Sequence, residues 1–207
     1  MDLSADDAGA AENWWFLAAL AFEGSLIGIA ALLTRWLSLD PPPMGCRNGC
    51  EAAIAVMIAL PPLPLLWWTL RVRRGPLARV REEARMALGD LLAGRGAGAL
   101  LLLATAAGLG EELLFRGVLQ TWCIGQWGTV AGIVAAAAVF GGCHALSIPY
   151  AVYAATMGGY FGAATAWTNQ LAGPILAHIV LDFAALLALR PAPIRPPEKE
   201  TPSCPPD

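Results

Sequence analysis

The 207-residue chain is 57% hydrophobic and only 14% charged, and its mean hydropathy is +0.57. This composition excludes an ordinary water-soluble globular domain. The formal net charge of −3 gives no reason to expect nucleic acid as a partner.

The apolar segments predict a polytopic bundle of about six transmembrane helices, which is an all-α fold. About 20 apolar residues are needed to cross the hydrocarbon core of a bilayer. The period-two alternation of a membrane β-barrel is absent. The expected spans, in chain order, are Trp14–Thr34, Ala52–Leu70, Ala97–Leu119, Thr129–Leu146, Tyr150–Trp167 and Ala172–Leu189.

Residues 1–96 are expected to form two spans and a basic loop. The second span contains Pro61, Pro62 and Pro64, so we predict a kink or break near its middle. The segment 71–92 is either a basic amphipathic helix at the membrane surface or an ordinary loop.

Positive charge predicts the orientation of the bundle. Seven of the 13 Lys and Arg residues lie between Arg71 and Arg95, and three more follow the last span. With six spans these two regions lie on one side, which the positive-inside rule makes cytoplasmic. We therefore expect an inner-membrane protein with both termini in the cytoplasm. Residues 190–207 are rich in proline and are expected to be disordered.

Three ionisable residues interrupt the third span. Glu112 and Arg116 are four residues apart, which suits an ion pair on one helical face. Glu111 projects about 100° away and has no local basic partner, so it is free to face a cavity. A carboxylate in such a site can take a proton from water. Glu23, in the first span, has no obvious partner and either pairs across helices or is neutral.

The two histidines of the chain lie in later apolar segments. Phe140 precedes His144 by four residues, and His178 precedes Asp182 by four, so Asp182 can orient the His178 imidazole. Glycines would let neighbouring helices approach closely enough to combine these residues in one site. The candidate close-approach glycines are Gly141, Gly142, Gly158, Gly159 and Gly162.

These motifs resemble those of the CAAX-protease and bacteriocin-processing family of intramembrane proteases. The resemblance covers roughly residues 97–189, a catalytic core preceded by residues 1–96 and followed by the tail. It implies metal-independent proteolysis in which Glu111 and His144 activate water. His178 and Asp182 would hold the oxyanion, and Glu112, Arg116 and Phe140 would stabilise the site. The family has Asn or Asp at the last position, and an ionised Asp182 cannot donate a hydrogen bond.

The sequence therefore predicts a membrane endopeptidase without cofactor, with membrane lipids and a peptide or membrane protein as partners. CaaX proteins and peptide precursors are both possible substrates. Three alternatives remain open. The first is a zinc protease with the metal on Glu111, His144 and His178. The others are a non-catalytic scaffold or immunity protein and a proton-coupled transporter.

Overall fold

A computed structural model describes residues 5–191 of the chain, and residues 5–191 contain helices and connecting turns but no strand. The predicted tail therefore lies outside the described residues from residue 192 onward. The helices are α1 (Ala5–Trp36), α2 (Gly49–Ala59), α3 (Pro62–Arg71), α4 (Pro76–Leu92), α5 (Ala97–Glu112), a π-helical segment (Leu113–Gln120), α6 (Thr121–Trp127), α7 (Thr129–Cys143), α8 (Ile148–Thr168) and α9 (Ala172–Leu189).

A helix occupies each of the six positions expected to cross the membrane. By length and composition alone, four helical stretches within residues 5–191 could cross a membrane. They are Trp14–Trp36, Gly49–Arg71, Ala97–Trp127 and Ala172–Leu189. The other two positions are α7, with 15 residues, and α8, with 21. The polytopic helical bundle is confirmed.

The proline-rich second span is broken in its middle, as its sequence predicts. α2 ends at Ala59 and α3 begins at Pro62, which occupies a first-turn position where a missing N–H costs nothing. The third span is longer than the expected Ala97–Leu119. After Glu112 the helix widens to the π-helical segment and then continues as α6 to Trp127.

Hydrogen bonds between connections show which turns share a side of the bundle. At one end, Leu171 N–H before α9 donates to Pro43 O between α1 and α2. At the other end, the Arg190 guanidinium after α9 donates to Arg95 O before α5. These contacts place the 37–48 and 169–171 connections together and the α4–α5 connection beside the end of α9.

α4 is a helix rather than a loop, and it packs beneath the end of the bundle that contains Arg95. Its apolar side joins α1, α5 and α9 in a core that includes Ala84, Leu92, Leu100 and Leu186. Its polar side contacts the turn before α8, where the Ser147 hydroxyl donates to Glu83 at 2.6 Å. That hydroxyl and the Arg79 guanidinium hold the pKa of Glu83 below its ordinary value. The link is therefore made to a charged carboxylate at neutral pH.

Candidate active site

The two adjacent acids end α5, where the helix begins to widen. Both are buried, with 8% of Glu111 and none of Glu112 exposed. Glu112 pairs with Arg116 at 2.8 Å between Oε1 and Nη1. Glu111 faces away from this pair and lines a cavity. The helical spacing therefore separates the two acids in the way that the sequence indicates.

Oε1 of Glu112 has a second partner, the Nδ1 atom of His178 at 2.8 Å. Because Glu112 is already paired with a guanidinium, its carboxylate accepts and Nδ1 of His178 carries the proton. The imidazole is thus oriented by Glu112, on a different helix, more closely than by Asp182. Nε2 of His178 lies 3.5 Å from Oδ2 of Asp182.

Arg116 is buried, with only 2% of it exposed, and it contacts several partners. Besides Glu112, it donates from Nη2 to the Gly158 carbonyl of α8 at 3.2 Å. Its guanidinium also lies over the ring of Phe140 at 4.5 Å and that of Phe161 at 5.5 Å. Such partners offset the cost of a charge at membrane depth. Arg116 therefore connects α8 to the acids of α5.

His144 lies just beyond the end of α7 and is the most accessible basic group of the site. Its Nδ1 is 2.8 Å from the Phe140 carbonyl, which can only accept, so Nδ1 carries the proton. The Phe140 ring packs against the His144 ring at 4.4 Å between centroids. Backbone and side chain of Phe140 thus fix the direction of the imidazole.

Both imidazoles direct Nε2 toward the same oxygen of Glu111. Oε2 lies 3.6 Å from Nε2 of His144 and 3.8 Å from Nε2 of His178. Among the described residues this oxygen is buried and accepts no hydrogen bond. The separations exceed direct hydrogen-bond length but suit a small molecule that bridges the three atoms.

His144 and His178 approach the same oxygen of Glu111, although His144 follows the last residue of α7 and His178 lies in the first half of α9. α7 has only 15 residues. Close packing of α7 on α8 completes the approach, because a Cβ at Gly141 would lie 2.5 Å from the Ala151 carbonyl. Gly158 and Gly162 also lie in tight contacts, whereas Gly142 has open space.

A cavity of about 410 Å³ adjoins Glu111, His144, His178 and Asp182. Its remaining wall is mostly apolar, and residues of α1, α3 and α4 contribute to it alongside the core helices. A pocket of this size and character can admit a peptide segment. Within residues 5–191, no set of three or more His, Cys, Asp or Glu residues has an arrangement that could hold a metal ion.

Two polar residues of the site have weak signals in the sequence. Glu23 of α1 lines the same cavity, and a lone acid in an apolar helix is the only trace of this. Gln120 is buried and donates from Nε2 to the Gly162 carbonyl at 3.0 Å. It lies four residues after Arg116, and its acceptor lies four after Gly158. The two bonds together attach the π-helical segment to α8.

Comparison with known families gives one match. Residues 94–184 match the family model described as Rce1-like, type II CAAX prenyl endopeptidase. This segment contains every residue of the site named above except Glu23. No curated protein and no solved structure matches the chain.

Proposed function

We propose, from the premise that residues 94–184 are an Rce1-like CAAX protease domain, that this chain is an intramembrane endopeptidase whose water is activated by Glu111. The protease family and the apolar helices make it a multi-pass membrane protease. The glutamate mechanism goes further. The observation that supports it is the convergence of two Nε2 atoms on one unpartnered oxygen of Glu111.

Water is the group that such a set of three atoms would activate. A water molecule that bridges Oε2 of Glu111 and Nε2 of His144 gives a proton to the carboxylate as its oxygen attacks the carbonyl carbon. Glu111 then carries that proton to the departing nitrogen, so the C–N bond breaks without an unstable amide anion. His144 holds the water because its other nitrogen is fixed on Phe140.

His178 suits the negative charge that develops on the carbonyl oxygen. When protonated, it donates from Nδ1 to Glu112 and from Nε2 into the cavity. Three carboxylates lie within 3.8 Å of the ring nitrogens and balance its positive charge. A preorganised donor of this kind stabilises the transition state strongly in a site that excludes water. Asp182 then orients His178 rather than contacting the oxyanion itself.

The cavity has α4 as part of its wall. α4 carries basic residues and contributes Val80, Ala84 and Leu88 to the cavity wall. By the positive-inside rule, α4 and both termini would lie on the cytoplasmic side of the inner membrane. The sequence leaves CaaX-type substrates and peptide precursors both open as substrates.

Glu111→Gln tests the mechanism. The amide keeps the shape of the side chain but cannot accept a proton, and loss of a general base typically costs about 10²–10⁴ in rate. We expect at least this loss in cleavage of an internally quenched farnesylated CaaX peptide by the purified protein. The melting temperature of the variant should change little, because the substitution replaces a buried acid with a neutral side chain of the same shape.

The matched control is Glu82→Gln, an exposed acid on α4 that does not line the cavity. Wild-type cleavage by Glu111→Gln would contradict the glutamate mechanism, and unfolding of the variant would make Glu111 structural. Activity that disappears with a chelator and returns with zinc would favour the metal alternative. Comparison of membrane proteomes from cells with wild type or Glu111→Gln would identify substrates outside the CaaX class.

A further inference from the structure

Glu23 is a cavity acid for which the mechanism above has no role. It lies in the middle of α1, outside the segment that matches the protease family. Its side chain lines the cavity together with Glu111 and Asp182. It is also close enough to interact electrostatically with Glu111, Asp182 and both histidines. The first helix therefore contributes an ionisable group to the site.

One oxygen of Glu23 needs a donor from outside the protein. Oε2 is buried and, among the described residues, has no hydrogen-bond partner. A buried acceptor without a partner is unfavourable, so such an atom calls for an explanation, and a bound donor is one. The two other acids that line the cavity face histidines. Asp182 lies 3.5 Å from Nε2 of His178, and Oε2 of Glu111 lies 3.6 Å from Nε2 of His144 and 3.8 Å from Nε2 of His178.

The position of Glu23 is fixed by the backbone rather than by its side chain alone. α1 crosses α5 at Gly110, where an added Cβ would lie 2.5 Å from the Glu23 carbonyl oxygen. Gly110 directly precedes Glu111. The backbones that carry the two acids are therefore in contact, and both acids line the same cavity.

Peptide hydrolysis supplies the donor that Glu23 lacks. Water adds its hydroxyl to the carbonyl carbon, and its proton passes through Glu111 to the nitrogen as the C–N bond breaks. The new carboxylic acid then gives its proton to the new amine, which leaves a carboxylate and an ammonium ion. An ammonium ion in a mostly apolar cavity is strongly disfavoured unless an anion faces it.

We propose that Glu23 binds the amine half of the cleaved bond, as an acceptor for its N–H and then as the counter-ion of the new ammonium group. This inference rests on the proposed endopeptidase function and adds a product-binding residue from α1. It gives the cavity a direction, since the carboxyl half would lie toward His178 and the amine half toward α1. Products that carry a free amino terminus should therefore bind more tightly than blocked ones.

Product binding tests this without depending on turnover. The probe is the tripeptide Val-Ile-Met, with its amino group free or acetylated, titrated calorimetrically into the full-length protein in detergent. We expect wild type and the Glu111→Gln variant to bind the free amine at least about tenfold more tightly, the effect of a hydrogen bond to a charged group. Glu23→Gln should reduce the ratio to about one, and Glu23→Asp should retain part of it.

A structural role for Glu23 would give a different result. In that case Glu23→Gln would lower the melting temperature and weaken both tripeptides equally, so an unchanged ratio would overturn the proposal. Equal binding of the two forms by wild type, or no binding of either, would overturn it as well. Glu82→Gln is the control and should keep the wild-type ratio. A wild-type preference for the free amine without any cleavage of peptides would instead count against the endopeptidase function alone.

Discussion

A single oxygen atom of Glu112 connects Arg116 to His178. Oε1 of Glu112 accepts from Arg116 and from His178, each at 2.8 Å. Removal of Arg116 would leave the buried carboxylate without its guanidinium, and removal of Glu112 would leave His178 without this acceptor. The sequence predicts the first of these contacts from helical spacing alone. The second joins residues 66 positions apart and depends on how α5 and α9 pack, which no local pattern contains.

Arg116→Leu should show how much this pairing contributes to folding. Removing one partner of a buried pair typically costs about 3–5 kcal/mol, because the other charge is left uncompensated. We expect a loss of that size in thermal or denaturant unfolding in detergent. A double variant, Glu112→Gln with Arg116→Gln, should recover part of it. Strictly additive losses in this series would show that the two residues do not compensate each other.

The helices differ in how closely their backbones approach, and this determines which elements bring residues to the site. α1 touches α5 at Gly110, and α7 touches α8 at Gly141. The sequence indicates glycines as contact points, but Gly110 is one among 22 and nothing local distinguishes it from the open positions. The π-helical segment is similarly invisible in the sequence. Its cause is tertiary, since Arg116 and Gln120 both reach carbonyl groups of α8.

Gly110→Ala should damage both the packing and the site. An added methyl group would meet the Glu23 carbonyl at 2.5 Å and the Leu26 Cβ at 3.1 Å, so α1 must move away from α5. Overpacking of this kind typically costs about 1–3 kcal/mol. The measurement is unfolding in detergent together with peptide cleavage, and we expect both to fall.

Gly98→Ala provides the comparison within the same helix. Gly98 has nothing within 4 Å of an added Cβ, so the alanine should be neutral or stabilising. Equal effects of the two substitutions would mean that helix propensity, rather than the α1–α5 contact, governs the result.

At each end of the bundle, hydrogen bonds join segments that are distant in sequence. The pair Leu171–Pro43 lies at one end, whereas Arg190–Arg95 and Ser147–Glu83 lie at the other. The sequence predicts six crossings, and four helical stretches among the described residues are long and apolar enough to cross a membrane. The approach of His144 and His178 to one oxygen of Glu111 is not predictable from sequence, because it depends on how the helices that carry them pack.

A reporter fused after Arg79 should be cytoplasmic, and one fused after Arg47 should be external. The first lies in the basic α4 and the second in the connection between α1 and α2. The physical reason is the retention of clustered arginines on the cytoplasmic side. Alkaline phosphatase and green fluorescent protein fusions measure this. Both reporters on the same side would refute the two-span layout of the first half.

The cavity wall divides between two parts of the chain that are separate in sequence. Glu111, His144, His178 and Asp182 all lie within the matched segment 94–184, whereas Ala19, Glu23, Leu66 and Val80 lie before it. Part of the wall that a substrate would contact therefore comes from outside the matched segment. Change in the first 93 residues can alter which molecules fit the chamber while the reacting groups stay as they are. Proteins that share this core can therefore differ in substrate preference while they keep the same reacting residues.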